Sequence, residues 1–375
     1  MISQRFDVLD TWRGISAVCV AIMHFHITSH FANTSFIANA WLFVDFFFVL
    51  SGFVISHAAR HALDSPQGIA AFMLRRFGRL WPLHACILLA FIALSVFRDY
   101  VLHGTPMFNE RDNPTSILTN IFLLQGFGLT GDDSWNAASW SIGVEFWTYL
   151  IFAVISYVVR QPQLRIVAYA VLFAASAAAL LTFLSTLNVT QGLAFFRCTL
   201  GFFAGCLVYQ VHLKRPNRSK ALEIASLALV GVFVCFGDRV SILAPLVFGF
   251  SVWTFAAERG PISAALRGPF FGALGRYSYS IYMVHELIIR IVFALTTRLS
   301  PAYVAEGPFY TAPIATYMRF SSLWVGDALV VAFVAVVVAT SAITFVTVER
   351  PARDFFNKLT KRPLRRSGTE GEVAV

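Results

Sequence analysis

The stretch 10-DTWRGISAVCVAIMH-24, Asp10 to His24, decides how this chain is read. It opens on an acid and a base, runs apolar for ten residues and stops on an imidazole. Two more histidines, His26 and His30, follow within an apolar run that continues to about Phe31. Lipid suits such a run and penalises polar side chains within it. The start of the chain lacks a short apolar region followed by a small-residue cleavage site, so Gly14–Phe31 reads as an uncleaved first membrane span.

The whole chain agrees. Of 375 residues, 57% are hydrophobic and only 13% charged, with 38 phenylalanines, and the mean hydropathy is +0.68. Soluble domains are near half apolar and about a quarter charged. A bilayer demands that every backbone N–H and C=O be satisfied internally, so the spans are expected to be helices and the fold class all-α. Five cysteines lie in apolar runs without paired or metal-ligand spacing. They read as small core residues, and no metal is expected.

Apolar runs of membrane-spanning length number ten: Gly14–Phe31, Trp41–Ala59, Trp81–Val101, Trp140–Val159, Ile166–Leu184, Ala194–Val211, Leu222–Gly237, Val240–Ala257, Tyr277–Thr296 and Leu323–Val348. A shorter run, Ile117–Leu129, holds Gln125, Gly126 and Gly128 and reads as interfacial or re-entrant. With both termini in the cytoplasm, 22 Lys and Arg fall inside and five outside, among them Arg98 and Arg111. That asymmetry is the positive-inside pattern. The net charge of +9 is therefore a topology signal, and nucleic acid is excluded as a partner. The chain divides into a membrane domain, 1–356, and a basic tail, 357–375, expected to be disordered near anionic lipid. No internal repeat is seen, and the oligomeric state is not legible.

Ionisable residues inside spans are costly and point to function. Here they are Arg13, His24, Asp45, Glu145, Arg197, His285, Glu286 and Arg290. On a helix, Asp10 and Arg13 are i,i+3 neighbours, and His24 falls about 20° past three turns from Arg13, roughly 16 Å along the axis. Arg13 and His24 thus share a stripe and are expected to face one cavity. An imidazole can take and give a proton there. The plain alternative is a buried histidine satisfied by a neighbouring helix.

Other candidates carry weaker signals. Asp45 begins the second span, placed to orient a histidine or to pair with a cation. Ser51-Gly52 reads as close helix packing rather than a nucleophile. Arg75, Arg76 and Arg79 sit at the inner surface, either as topology markers or as a cradle for phosphates. Trp135 and Trp140 suit the outer interface, and Glu145 lies deeper, able to meet a sugar hydroxyl or tune an imidazole. Ser141, Tyr282 and His285 add polarity, with helix packing as their simplest role. Glu349 and Arg350 are expected to meet the cytosol.

Six stretches in order, LDTWRGISAVCVAIMH, FVDFFFVLSGF, RRFGRLWP, ASWSIGVEFW, YSYSIYMVHE and VERP, resemble the acyltransferase 3 family of membrane acyltransferases, which O-acetylates bacterial surface glycans. The resemblance runs from about residue 5 to 353. It implies transfer of an acetyl or short acyl group from cytoplasmic acetyl-CoA to a carbohydrate hydroxyl, in a bacterial inner membrane. It also implies that His24 is essential and that Arg13 and the basic cluster serve the donor. The family often has tyrosine where this chain has Trp147. Chemistry consistent with this has His24 as general base, with Glu145 or Asp45 orienting it or the acceptor. A covalent acyl-enzyme is the less favoured route. Rival readings are a proton-coupled transporter, which also uses intramembrane acids and histidines, and a non-catalytic sensor or scaffold.

Overall fold

A computed structural model describes residues 6–59, 63–101, 106–130, 133–309 and 312–360. The membrane domain is helical, as expected. Its helices are α1 (Asp7–His24), α2 (Ser35–Ala38), α3 (Phe43–Ala59), α4 (Pro66–Val96), α5 (Pro114–Ile121), α6 (Trp140–Val158), α7 (Pro162–Phe183), α8 (Ala194–Lys214), α9 (Leu222–Phe236), α10 (Ala244–Phe255), α11 (Pro261–Leu266), α12 (Pro269–Leu299), α13 (Leu323–Thr344) and α14 (Arg350–Thr360). One antiparallel hairpin, β1 (Val304–Phe309) and β2 (Ala312–Met318), joins α12 to α13.

Among the described residues, eight helical stretches are long and apolar enough to cross a membrane. The first helix is not one of them, because Asp7, Asp10 and Arg13 load its beginning with charge. The stretch Leu222–Phe255 counts once, although Gly237 breaks it into α9 and α10, which pack on each other. These two features account for the difference from ten. The first apolar run also stops being helical at His24, seven residues before its expected end at Phe31. Its continuation pairs with the hairpin instead: Met318 N donates to His26 O at 2.9 Å and Thr28 N to Met318 O at 2.9 Å. Hydropathy could not see this, because strand pairing satisfies the backbone of an apolar segment as well as a helix does.

Two close helix crossings position the site. In the first, α3 lies against α8, where a methyl on Gly52 would overlap the carbonyl of Phe202 and one on Gly205 that of Val49. In the second, α1 lies against α12, with Gly14 against the Leu274 backbone and Gly275 against Asp10. Without a hydrophobic drive between helices in lipid, such small-residue contacts let backbones approach and pack. Ser51-Gly52 is thus a packing element on its glycine side, as expected.

The segment 117–129 turns back on itself. Helix α5 ends at Ile121, Leu123 takes a positive φ of 58°, and Gln125 Nε2 donates to Ser139 O at 2.9 Å. Such irregular backbone is tolerated at membrane depth only where protein buries it. Trp147 supports this turn by donating to Leu123 O at 3.2 Å.

Other expectations need correction. Trp135 and Trp140 face the protein interior rather than lipid headgroups: they are 0% and 6% exposed. Cys86 and Cys235 are exposed rather than buried. Helix α14 continues past residue 356 to Thr360; residues 361–375 lie outside the described residues, as does Arg60.

Candidate active site

The shared stripe of Arg13 and His24 exists, and it faces α12. Arg13 Nε donates to Ser278 Oγ at 2.8 Å, and its Nη2 pairs with Asp10 at 2.9 Å. Eleven residues on, His24 meets His285: Nδ1 of the first lies 3.1 Å from Nε2 of the second, with the rings stacked at 5.1 Å.

The protons of this pair follow from a fixed acceptor. His285 Nδ1 lies 3.2 Å from Ile281 O. A carbonyl only accepts, so this nitrogen carries the hydrogen. Neutral His285 then offers a lone pair at Nε2, and His24 Nδ1 donates to it. Neutral His24 is left with its lone pair at Nε2. The second histidine therefore fixes the tautomer of the first, as an orienting partner does. Sequence reasoning placed His285 among supporting residues. Only the register of α12 against α1 shows that it is the direct partner.

Arg13 and His24 do not open into one cavity. Arg13 lines a basic cavity of about 120 Å³ with Arg76, Arg79, Ser51, Glu145 and Tyr149. His24 lines a second cavity of about 210 Å³, with Trp140 and Arg197. Val44 and Tyr282 border both. The Tyr282 hydroxyl lies 2.9 Å from Ser141 Oγ and donates to Ala138 O at 2.9 Å, and Phe47 packs edge-on against its ring. Tyr282 and Val44 thus form the partition, with Ser141 holding the Tyr282 hydroxyl from the basic side. Beyond His24 a wider vestibule of about 760 Å³ opens, bordered by His24, His26, Arg98, Arg111, Glu286 and Arg290.

The carboxylates expected beside His24 are elsewhere. Glu145 is in the basic cavity, within hydrogen-bonding reach of Ser51 and Tyr149. Ser51 Oγ and Tyr149 Oη are 3.0 Å apart. Asp45 is wholly engaged by Arg197, whose Nε and Nη2 donate to its two oxygens at 2.9 and 2.7 Å. The same guanidinium lies over Trp41 and Trp140, 5.0 and 5.3 Å from the ring centroids. Asp45 therefore pairs with a cation and does not orient the imidazole. Sequence could name both ionisable residues but not that helix packing brings them together.

The basic cluster also divides. Arg76 and Arg79 face the cavity, while Arg75 lies toward Asp354 and Lys358 of α14. Arg76 packs against Phe72 and Tyr149, and its buried Nε has no hydrogen-bond partner among the described residues. That donor suits an anionic ligand. Glu349 does not meet solvent: it is 4% exposed and accepts from Ser280 Oγ at 2.8 Å. Arg350 is exposed and lies 3.9 Å from Asp354. A pairing missed from sequence is His30 Nδ1 to Asp327 at 2.6 Å. Asp327 early in the last apolar run was its signal.

His24, His285 and Glu286 place ligand atoms within 4.8 Å of one another, a spacing a small divalent ion could use. Against that use, His24 Nδ1 and His285 Nε2 already bond each other, and Glu286 lies 4.0 Å from Arg290.

The model of the acyltransferase 3 family, described as an acyltransferase domain, matches residues 6–348. The chain is 39% identical over 104 residues to "Protein 2 in picA locus" of Rhizobium radiobacter, covering 28% of this chain and about half, 51%, of that protein. It is 23% identical over 270 residues to "Acyltransferase MdmB" of Streptomyces mycarofaciens, covering 66% of this chain and 67% of that one. No solved structure matches.

Proposed function

We propose, from the premise that this chain belongs to the acyltransferase 3 family and is a membrane acyltransferase, that it moves an acetyl or short acyl group from acyl-CoA to a carbohydrate hydroxyl. The observation that carries this reading is the oriented histidine pair beside a cavity that shares Tyr282 and Val44 with an arginine-lined one. In this reading the protein crosses a bacterial inner membrane ten times, with both termini and the basic cavity on the cytoplasmic side.

The CoA phosphates meet Arg76 and Arg79, with Arg75 further out, since guanidinium forks match phosphate oxygens. Arg13 lies further in, held by Asp10 and Ser278, along the path of the pantetheine arm. The thioester reaches His24 by passing Tyr282. The acceptor hydroxyl enters from the vestibule. His24 Nε2 takes its proton as the oxygen attacks the thioester carbon. The C–S bond then breaks, the new C–O ester bond remains, and the CoA thiolate leaves. His285 steadies the imidazolium by accepting from Nδ1. Glu145, beside Ser51, Tyr149 and the arginines, serves the donor end rather than the base.

Family membership sets aside the transporter and scaffold alternatives. The test is to supply labelled acetyl-CoA to membranes containing the wild-type protein or His24→Ala at matched expression, then extract the glycan fractions. Label in a glycan fraction that disappears in the variant supports the reading. Equal label in both removes His24 from catalysis.

A further inference from the structure

We propose that the acceptor is anionic, carrying a carboxylate or a phosphate that Arg98 binds in the vestibule while a nearby hydroxyl is presented to His24. This rests on the acyl-transfer reading above and adds the class of acceptor.

The placement comes from α4 and its π-helical extension Phe97–Val101. One end carries Arg76 in the basic cavity and the other carries Arg98 in the vestibule. Along a helix the two are about 33 Å apart, close to the thickness of a bilayer core. They therefore serve ligands at opposite ends of the protein. The arginine end suits the donor, and the Arg98 end is left for the acceptor.

The charges of the vestibule can then be paired off. Asp112 accepts from Trp135 N at 2.6 Å and lies 3.4 Å from Arg290. Glu286 lies 4.0 Å from the same Arg290, which also donates to Trp135 O at 2.7 Å. Arg111 donates twice to Asp133 O, at 3.0 and 2.6 Å. Arg98 remains. Its Nε is buried without a hydrogen-bond partner, and it has no ion pair among the described residues. Its neighbour Asp99 is occupied by Met107 N at 2.9 Å.

A buried, unsatisfied donor on a charged group is costly to keep, and a guanidinium fork recognises carboxylates and phosphates in a bidentate fashion. A neutral sugar needs only hydroxyl and carbonyl partners and gives no reason for an unpaired arginine. At about 760 Å³ the vestibule falls within the range that holds a ligand of several hundred daltons. It adjoins the His24 cavity, with His24, His26 and Ala137 lining both.

The experiment uses the full chain in native membranes with labelled acetyl-CoA. Labelled glycan is released at neutral pH, which preserves the ester, and applied to an anion exchanger. His24-dependent label should be retained. Phosphatase should abolish retention if the anion is a phosphate, and carbodiimide–borohydride reduction if it is a carboxylate. With that purified fraction as acceptor, Arg98→Gln should raise its KM tenfold or more while leaving the KM for acetyl-CoA unchanged, which also reports that the variant folds. Arg98→Lys should recover part of the loss. His24-dependent label in the unretained fraction, or an acceptor KM unaltered by Arg98→Gln, overturns the inference while leaving acyl transfer intact. Absence of label from every wild-type fraction overturns the acyl-transfer reading and this inference with it.

Discussion

Breaking the Asp45–Arg197 pair should unfold the protein more readily rather than spoil its chemistry. Both side chains are 1% exposed. Arg197 donates to both Asp45 oxygens, to Trp41 O at 3.3 Å and to Val189 O at 3.1 Å. It thereby ties α8 to the start of α3 and to the segment before α8. Asp45→Asn keeps the volume but leaves a guanidinium charge buried without a counter-charge. Removing one partner of a buried ion pair costs about 3–5 kcal/mol, or roughly 10² to nearly 10⁴ in the unfolding equilibrium. Asparagine can still accept one of the two hydrogen bonds, so the lower end of that range is expected. Replacing both partners by apolar residues, Asp45→Leu with Arg197→Met, should recover most of the loss. Unfolding of the purified wild type, Asp45→Asn and double variant by titration with denaturing detergent measures both effects. An Asp45→Asn protein that unfolds at the wild-type detergent concentration yet transfers no acyl group would refute this reasoning and restore Asp45 to the catalytic machinery.

Four further outcomes are expected. His24→Ala should lower kcat by about 10²–10⁴, and His285→Ala by at least tenfold with little change in KM; wild-type kcat in His285→Ala would mean the pair does not orient the base. Tyr282→Ala should join the two cavities and raise acceptor-independent hydrolysis of acyl-CoA, whereas Tyr282→Phe should not; equal hydrolysis in wild type and Tyr282→Ala would remove the partition. Treatment with EDTA should leave transfer intact, because His24 Nδ1 and His285 Nε2 bond each other; a loss that added zinc repairs would reassign His24, His285 and Glu286 to a metal. Between α10 and α11, burial raises the Glu258 carboxyl above its ordinary range, with Asp7 and Asp10 acting in the same direction and the Val8 N–H and Arg267 opposing. The folded chain thus holds that proton more tightly than the unfolded one, so the contribution is complete below the unfolded value, about 4.3, and fades as pH rises through the folded value. Glu258→Gln should flatten the stability profile there, and an unaltered profile would deny Glu258 this role.

The sequence by itself determined that the chain is a helical membrane protein. Long apolar runs in a chain with few charges have no stable alternative in lipid, where each backbone group must find its partner within the chain. It also placed Arg13 and His24 on one stripe, since helical periodicity is local. The order of six motifs pointed to the acyltransferase family. Local patterns cannot say which helices meet. Whether Asp45 faces an imidazole or a guanidinium depends on the packing of α3 against α8, and the partner of His24 depends on the register of α1 against α12. Nor could hydropathy end the first helix at His24, because the hairpin that takes over its backbone hydrogen bonds lies almost three hundred residues away. Tertiary structure also decided that the stripe opens into two cavities parted at Tyr282. A cavity is bounded by side chains from several elements at once, and no single stretch of sequence encodes that boundary.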